Sequence, residues 1–169
     1  MLVNLLHQCG SVASKTIKHL SFNLALYEKR KNVEYNDDYG TCEETYVTLL
    51  VYPGEIPFSE ISFTLGLTPT RTSKKQDFPR KRVNGWFYST QKIIQSRDCR
   101  RHIDFILDQI IERKDAVRYL KLKGVKIEMT CCWHSASGHG GPTISPYQMK
   151  KLVELDIEIW WDIYFSDED

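Results

Sequence analysis

Val125-Lys126-Ile127-Glu128-Met129-Thr130-Cys131-Cys132-Trp133-His134-Ser135-Ala136-Ser137-Gly138-His139-Gly140-Gly141-Pro142 carries one strand toward a helix start through three glycines. Ile127, Met129, Cys131 and Trp133 alternate with Glu128, Thr130, Cys132 and His134, the period of a strand with one apolar face. Ser145-Pro146-Tyr147-Gln148 then supplies an N-cap, a proline at the first helical position and a capping-box glutamine, ahead of Met149, Leu152 and Val153. A strand over 157–165 follows, with Ile157, Ile159, Trp161, Ile163 and Phe165 toward the core. The C-terminal third thus reads β-α-β.

Working outward, 98–113 repeats Ile103, Ile106, Leu107, Ile110 and Ile111 at helical spacing, with charged residues on the other side. This helix is expected to continue, with a bend, through Val117 and Leu120 to Gly124. Residues 45–52 alternate Val47, Leu49 and Val51 against Tyr46, Thr48, Leu50 and Tyr52, and Pro53-Gly54 ends that strand. A short helix over 57–65 closes at Gly66, placed for a left-handed C-cap. Gly85-Trp86-Phe87-Tyr88-Ser89-Thr90 is a strand by its aromatic content. Between them, Thr68-Pro69-Thr70-Arg71 and the basic Lys74, Lys75, Arg80, Lys81 and Arg82 read as a long loop. The pattern predicts an α/β (α+β) two-layer sandwich: a four-stranded sheet from two β-α-β units joined by a long helix, ferredoxin-like in spirit. The halves 45–90 and 125–165 are expected to be structural duplicates. Residues 1–40 read as an N-terminal appendage and polar linker, and 41–169 as a single α/β domain.

Composition narrows the function classes. With 23 basic and 22 acidic side chains the net charge is +1, so no global field favours nucleic acid or an anionic membrane. Five cysteines in no framework spacing read as reduced thiols, and no apolar run approaches a membrane span or a signal peptide. A cytoplasmic protein is expected.

If the helices cover the apolar face, the other face carries Tyr46, Thr48, Leu50, Tyr52, Glu128, Thr130, Cys132, His134, Glu158, Trp160, Asp162 and Tyr164. The strand over 85–90 adds either Trp86 and Tyr88 or Phe87 and Ser89. Such rings offer large contact area at low entropy cost, the composition of a partner-binding surface. Sheet-face RNA readers surround their aromatics with Lys and Arg, whereas Glu128, Glu158 and Asp162 stand here, which disfavours nucleic acid.

The glycine loop points to a second chemistry. Gly138, Gly140 and Gly141 before a helix start suit an anion, with Arg71, His134 and Ser135 as neighbours, yet neither nucleotide-binding glycine motif is present. Cys132, His134 and His139 are zinc-type ligands without a fourth, and Cys132 with His134 lacks a group to orient the imidazole. No catalytic residue, metal or cofactor is assigned.

Leu65-Gly66-Leu67-Thr68-Pro69-Thr70, Gly85-Trp86, the run from Trp133 through Ser137-Gly138-His139-Gly140-Gly141-Pro142-Thr143-Ile144-Ser145-Pro146, and Asp162-Ile163-Tyr164-Phe165 resemble a bacterial family known as domain of unknown function 4279. The resemblance covers about 45–165. It implies a compact bacterial α/β domain and brings no activity or catalytic residues. By analogy with small domains of no known chemistry, it points to an immunity protein that neutralises a toxin.

The expected function is therefore a non-enzymatic interaction protein, anchored by Tyr46, Trp86, His134, Trp160 and Tyr164, with Glu158, Asp162 and the acidic Ser166-Asp167-Glu168-Asp169 matching a basic partner. The alternative is a small anionic-ligand protein or enzyme built on the glycine loop. A homodimer burying its aromatic faces is a third expectation.

Overall fold

The computed structural model describes residues 33–75 and 83–165. The chain divides into two units, Met1–Glu34 and Tyr35–Asp169. The expected appendage up to residue 32, Arg80, Lys81 and Arg82 of the basic loop, and the acidic 166–169 lie outside the described residues.

In the second unit the elements follow as β1 (Cys42–Tyr52), α1 (Phe58–Leu65), β2 (Arg71–Ser73), β3 (Gly85–Ser89), α2 (Cys99–Ile110), a 3-10 turn (Ile111–Arg113), α3 (Lys114–Leu122), β4 (Lys126–Ser135), α4 (Pro146–Leu155) and β5 (Glu158–Phe165). They form one five-stranded sheet in the order β2-β3-β1-β4-β5. All neighbours are antiparallel except β4 and β5, which run parallel.

The mixed α/β class is as the sequence pattern predicts, and the strand count is corrected from four to five. The added strand, β2, lies inside the stretch read as a loop; three residues beside a basic run give no usable alternation. It forms a hairpin with β3, so β1-α1-β2 is a split β-α-β unit with β3 between its parallel strands. In the same way β3, α2-α3 and β4 are split by β1. This interleaving is the ferredoxin-like β-α-β-β-α-β plan, extended by α4 and β5. The halves are not duplicates: β3 returns antiparallel to β1, whereas β5 runs parallel to β4.

The helices cover one face of the sheet. Val47, Leu49, Val51, Ile127, Met129 and Cys131 meet Ile61 and Leu65 of α1, Ile103, Ile106, Leu107 and Ile110 of α2, Val117 and Leu120 of α3, and Leu152 and Leu155 of α4. Each such side chain contributes about 1.5–3 kcal/mol by leaving water. Gly66 ends α1 at φ 64°, with its N–H donating to Phe63 O at 3.3 Å, as a left-handed cap requires. The long helix is divided into α2 and α3 by its 3-10 turn. Ile163 and Phe165, expected in the core, are exposed at the end of β5, where the helix layer does not cover them.

Candidate functional site

The register assigns the open face row by row. Arg71, Phe87, Leu50, Glu128 and Glu158 form one row; Ser89, Thr48, Thr130 and Trp160 the next; then Tyr46, Cys132 and Asp162; then Glu44, His134 and Tyr164. The second of the two phases left open for β3 is therefore correct. Phe87 and Ser89 face outward, while Trp86 is fully buried on the helix side and its Nε1–H donates to Ser62 Oγ of α1 at 3.0 Å. Trp86 is removed from the set of surface anchors; Phe87 lines the open face but is itself buried, 7% exposed, beneath Arg71.

A groove of about 560 Å³ runs over this face, with Thr48, Leu50 and Thr130 on its floor, Arg71 and Phe87 at one side, and Tyr46, Cys132 and Asp162 toward the other. The Arg71 guanidinium lies 4.6 Å above the Phe87 ring, a cation–π pair. Thr130 Oγ1 is shut off from solvent without a hydrogen-bond partner.

Gln91, Lys92 and Ile93 supply the remaining wall, and buried His102 of α2 holds both ends of their loop. Its Nε2 meets Ser96 O at 3.0 Å and its Nδ1 meets Thr90 Oγ1 at 2.7 Å. A carbonyl only accepts, so Nε2 carries the proton and Nδ1 of the neutral ring accepts a hydrogen bond from the Thr90 hydroxyl, which also lies 3.1 Å from Val47 O. Burial holds the His102 pKa below its usual value, consistent with that neutral ring. Thr90 Oγ1 in turn accepts from Val47 N at 2.9 Å, tying the loop to the central strand.

Residues read as linker also anchor this corner. Tyr35 OH donates to Asp104 Oδ2 at 2.9 Å, Asn36 N to Asp98 Oδ2 at 2.8 Å, and Arg101 Nε to Asp37 Oδ1 at 2.6 Å. Asp98 is the N-cap of α2; burial raises its carboxyl, and the bonds from Arg100 and Asn36 outweigh that and hold it below the usual range.

The β5 side of the face is aromatic and acidic. The His134 and Tyr164 rings stack at 4.7 Å and 12°, and Tyr164 OH donates to Asp162 Oδ2 at 3.0 Å. Trp160 is 44% and Tyr164 48% exposed. A hydrogen bond to Cys132, together with burial, raises the Tyr46 pKa. Burial also raises the Cys132 thiol, with Asp162 and Glu44 adding to the effect, so it stays protonated at neutral pH. A protonated thiol beside a ring already stacked on tyrosine is not an activated nucleophile.

The glycine loop is packed by its own groups. Ser135 Oγ donates to His139 O at 3.0 Å, Ala136 N to Thr41 O at 3.0 Å, and His139 Nδ1 lies 2.9 Å from Ser137 O. Gly138 and Gly140 hold φ 70° and 89°, and a Cβ on Gly140 would sit 2.6 Å from Thr41 Oγ1. Ser135 is buried. Arg71 does not join this loop: its row crosses β1 at Leu50, six residues from Glu44 beside His134, about 20 Å along the strand. The composite anion site of Arg71, His134, Ser135 and the glycines is not assembled. Among the described residues no three His, Cys, Asp or Glu side chains converge to hold a metal.

Of the expected site, the structure gathers Tyr46, His134, Trp160, Asp162 and Tyr164 on one surface, with Glu158 and Arg71 in the row at its end. Sequence reasoning missed Lys92 and Gln91, which reach the groove only through the fold of the loop that His102 secures. Cys42, Cys99, Cys131 and Cys132 are free and buried, and no helix among the described residues is long and apolar enough to cross a membrane. The family described as Domain of unknown function (DUF4279) matches over residues 43–166. No curated protein and no solved structure matches the chain.

Proposed function

Because the chain belongs to the family of domain of unknown function DUF4279, whose description assigns no activity, we propose from its surface alone that it is a cytosolic binding protein for another protein, held on the open sheet face. The observation that carries this reading is the half-exposed pair Trp160 and Tyr164 beside a 560 Å³ groove, on a face that no helix of the described residues covers. Rigid rings with polar tips, set among a few charges, are what interface centres are made of.

The charges select the partner. Glu44, Glu158 and Asp162 lie on the β1-β4-β5 side, with Glu128 already paired to Lys126, so the partner's matching surface is basic. A cationic toxin held inactive by this acidic edge is such a partner, which is the immunity-protein form of the reading. The experiment compares capture from native cytosol by the wild-type chain and by Trp160→Ala and Tyr164→Ala. A stoichiometric protein that the wild type retains and both variants lose supports the proposal; equal retention by all three ends it.

The Arg71 guanidinium at the side of the groove favours one second reading, a small anionic ligand in the groove rather than at the glycine loop. Mass spectrometry of small molecules released from the purified chain tests it, with loss of the ligand from Arg71→Ala as the expected result.

A further inference from the structure

β5 is the last strand of the sheet, and among the described residues nothing pairs with its outer edge. An unpaired edge is a ready template for another strand, so proteins blunt such edges with short length, lysine, proline or a bulge. The opposite edge follows that practice, since β2 has three residues and begins with Arg71. β5 does not: it has eight residues, no proline and no lysine, and it pairs with β4 in unbroken register from Glu158 to Phe165. Its apolar side chains are exposed on both faces, Trp160 and Tyr164 on the open face and Ile163 and Phe165 on the other.

The edge strand itself carries charge of one sign: residues 152–165 include Glu154, Asp156, Glu158 and Asp162 and no Lys, Arg or His, and the neighbouring cations Lys121 and Lys126 stand on α3 and β4. Glu154 and Asp156 are taken up by Lys114 and Lys121. Glu158 and Asp162 have no ion pair among the described residues, and they share the open face of β5. A second copy added to this edge would place two acidic strands about 4.8 Å apart with no cation on either. The occupant that fits is basic.

We propose that the outer edge of β5 is a strand-addition site for an extended, lysine- or arginine-bearing segment of a partner protein. The segment's backbone pairs with the β5 backbone, its basic side chains lie opposite Glu158 and Asp162, and its alternate apolar side chains cover Ile163 and Phe165. This rests on the proposed binding of a protein at the open face and names the class of that partner.

The probe is a fluorescein-labelled, end-capped octapeptide alternating lysine and valine, titrated by polarisation against the full chain. Saturable binding is expected, weakened about tenfold by Glu158→Lys with Asp162→Lys through the loss of two close charge pairs. Two further peptides carry N-methyl groups on the odd or on the even residues. Successive amides of a strand face opposite edges, so one of the two is expected to lose binding while the other keeps it. Equal binding of both methylated peptides, equal binding of a glutamate–valine octapeptide, or a dimer in solution with exchange-protected β5 amides would each overturn strand addition. If these fail while Trp160→Ala still releases the natural partner, strand addition falls and the open-face reading stands; if Trp160→Ala retains the partner, the open-face reading itself falls.

Discussion

Replacing His102 with alanine tests whether the groove wall is held as described. The imidazole is fully buried and bonds Thr90 and Ser96 at the two ends of the loop that carries Gln91, Lys92 and Ile93. Two hydrogen bonds at about 1 kcal/mol each, and about 1–2 kcal/mol for the void left by the ring, give a loss of about 3–4 kcal/mol. For a domain of this size that corresponds to a fall of about 10 °C in Tm. Urea unfolding read through buried Trp86 and Trp133 reports it. The same residue sets a pH dependence. Its folded pKa lies below the ordinary 6.5, so as the pH falls below 6.5 the unfolded chain takes up the proton first and wild-type stability declines. His102→Ala lacks that part of the slope. A loss under about 1 kcal/mol with an unchanged slope would refute the assignment.

Gly140→Ala is expected to cost at least about 1–3 kcal/mol, since it combines a positive φ with a Cβ 2.6 Å from Thr41 Oγ1, whereas Gly141→Ala, with open space around its Cβ, stays near wild type; thermal melts of the pair check the contrast. Trp86→Phe removes the donor to Ser62 and part of a filled volume, a loss of about 1–3 kcal/mol by chemical denaturation, and leaves partner binding intact because the ring is on the helix side. Tyr35→Phe deletes the bond to Asp104 and lowers stability by about 1 kcal/mol, measurable by urea titration, which an idle linker residue would not do.

The parts of this fold that the sequence displays are those where local pattern and burial coincide. Alternation in β1 and β4, the apolar stripe of α2 and the capping box at Ser145 and Gln148 each follow from period or chemistry within a few residues, and each is present. β2 was hidden because three residues carry no period. The phase of β3 was hidden for a different reason: Trp86, Phe87 and Tyr88 are all aromatic, so only pairing with Leu50 and Val51 decides which side each takes. The site divides in the same way. Tyr46, Asp162 and Tyr164 follow from alternation, whereas Arg71 over Phe87 and the loop of Lys92 depend on contacts between distant segments. The glycine loop misled because a tight turn and an anion cradle use the same residue; only the packing against Thr41 distinguishes them.

Hydrogen exchange of the chain with and without its captured partner reads out whether the open sheet face is where the partner sits. The binding reading predicts new protection in β5 and along the groove-facing parts of β1, β4 and the 90–98 loop, with α1 and α3 unchanged. Protection confined to the helix layer, with the β5 amides exchanging as freely as before, would contradict it.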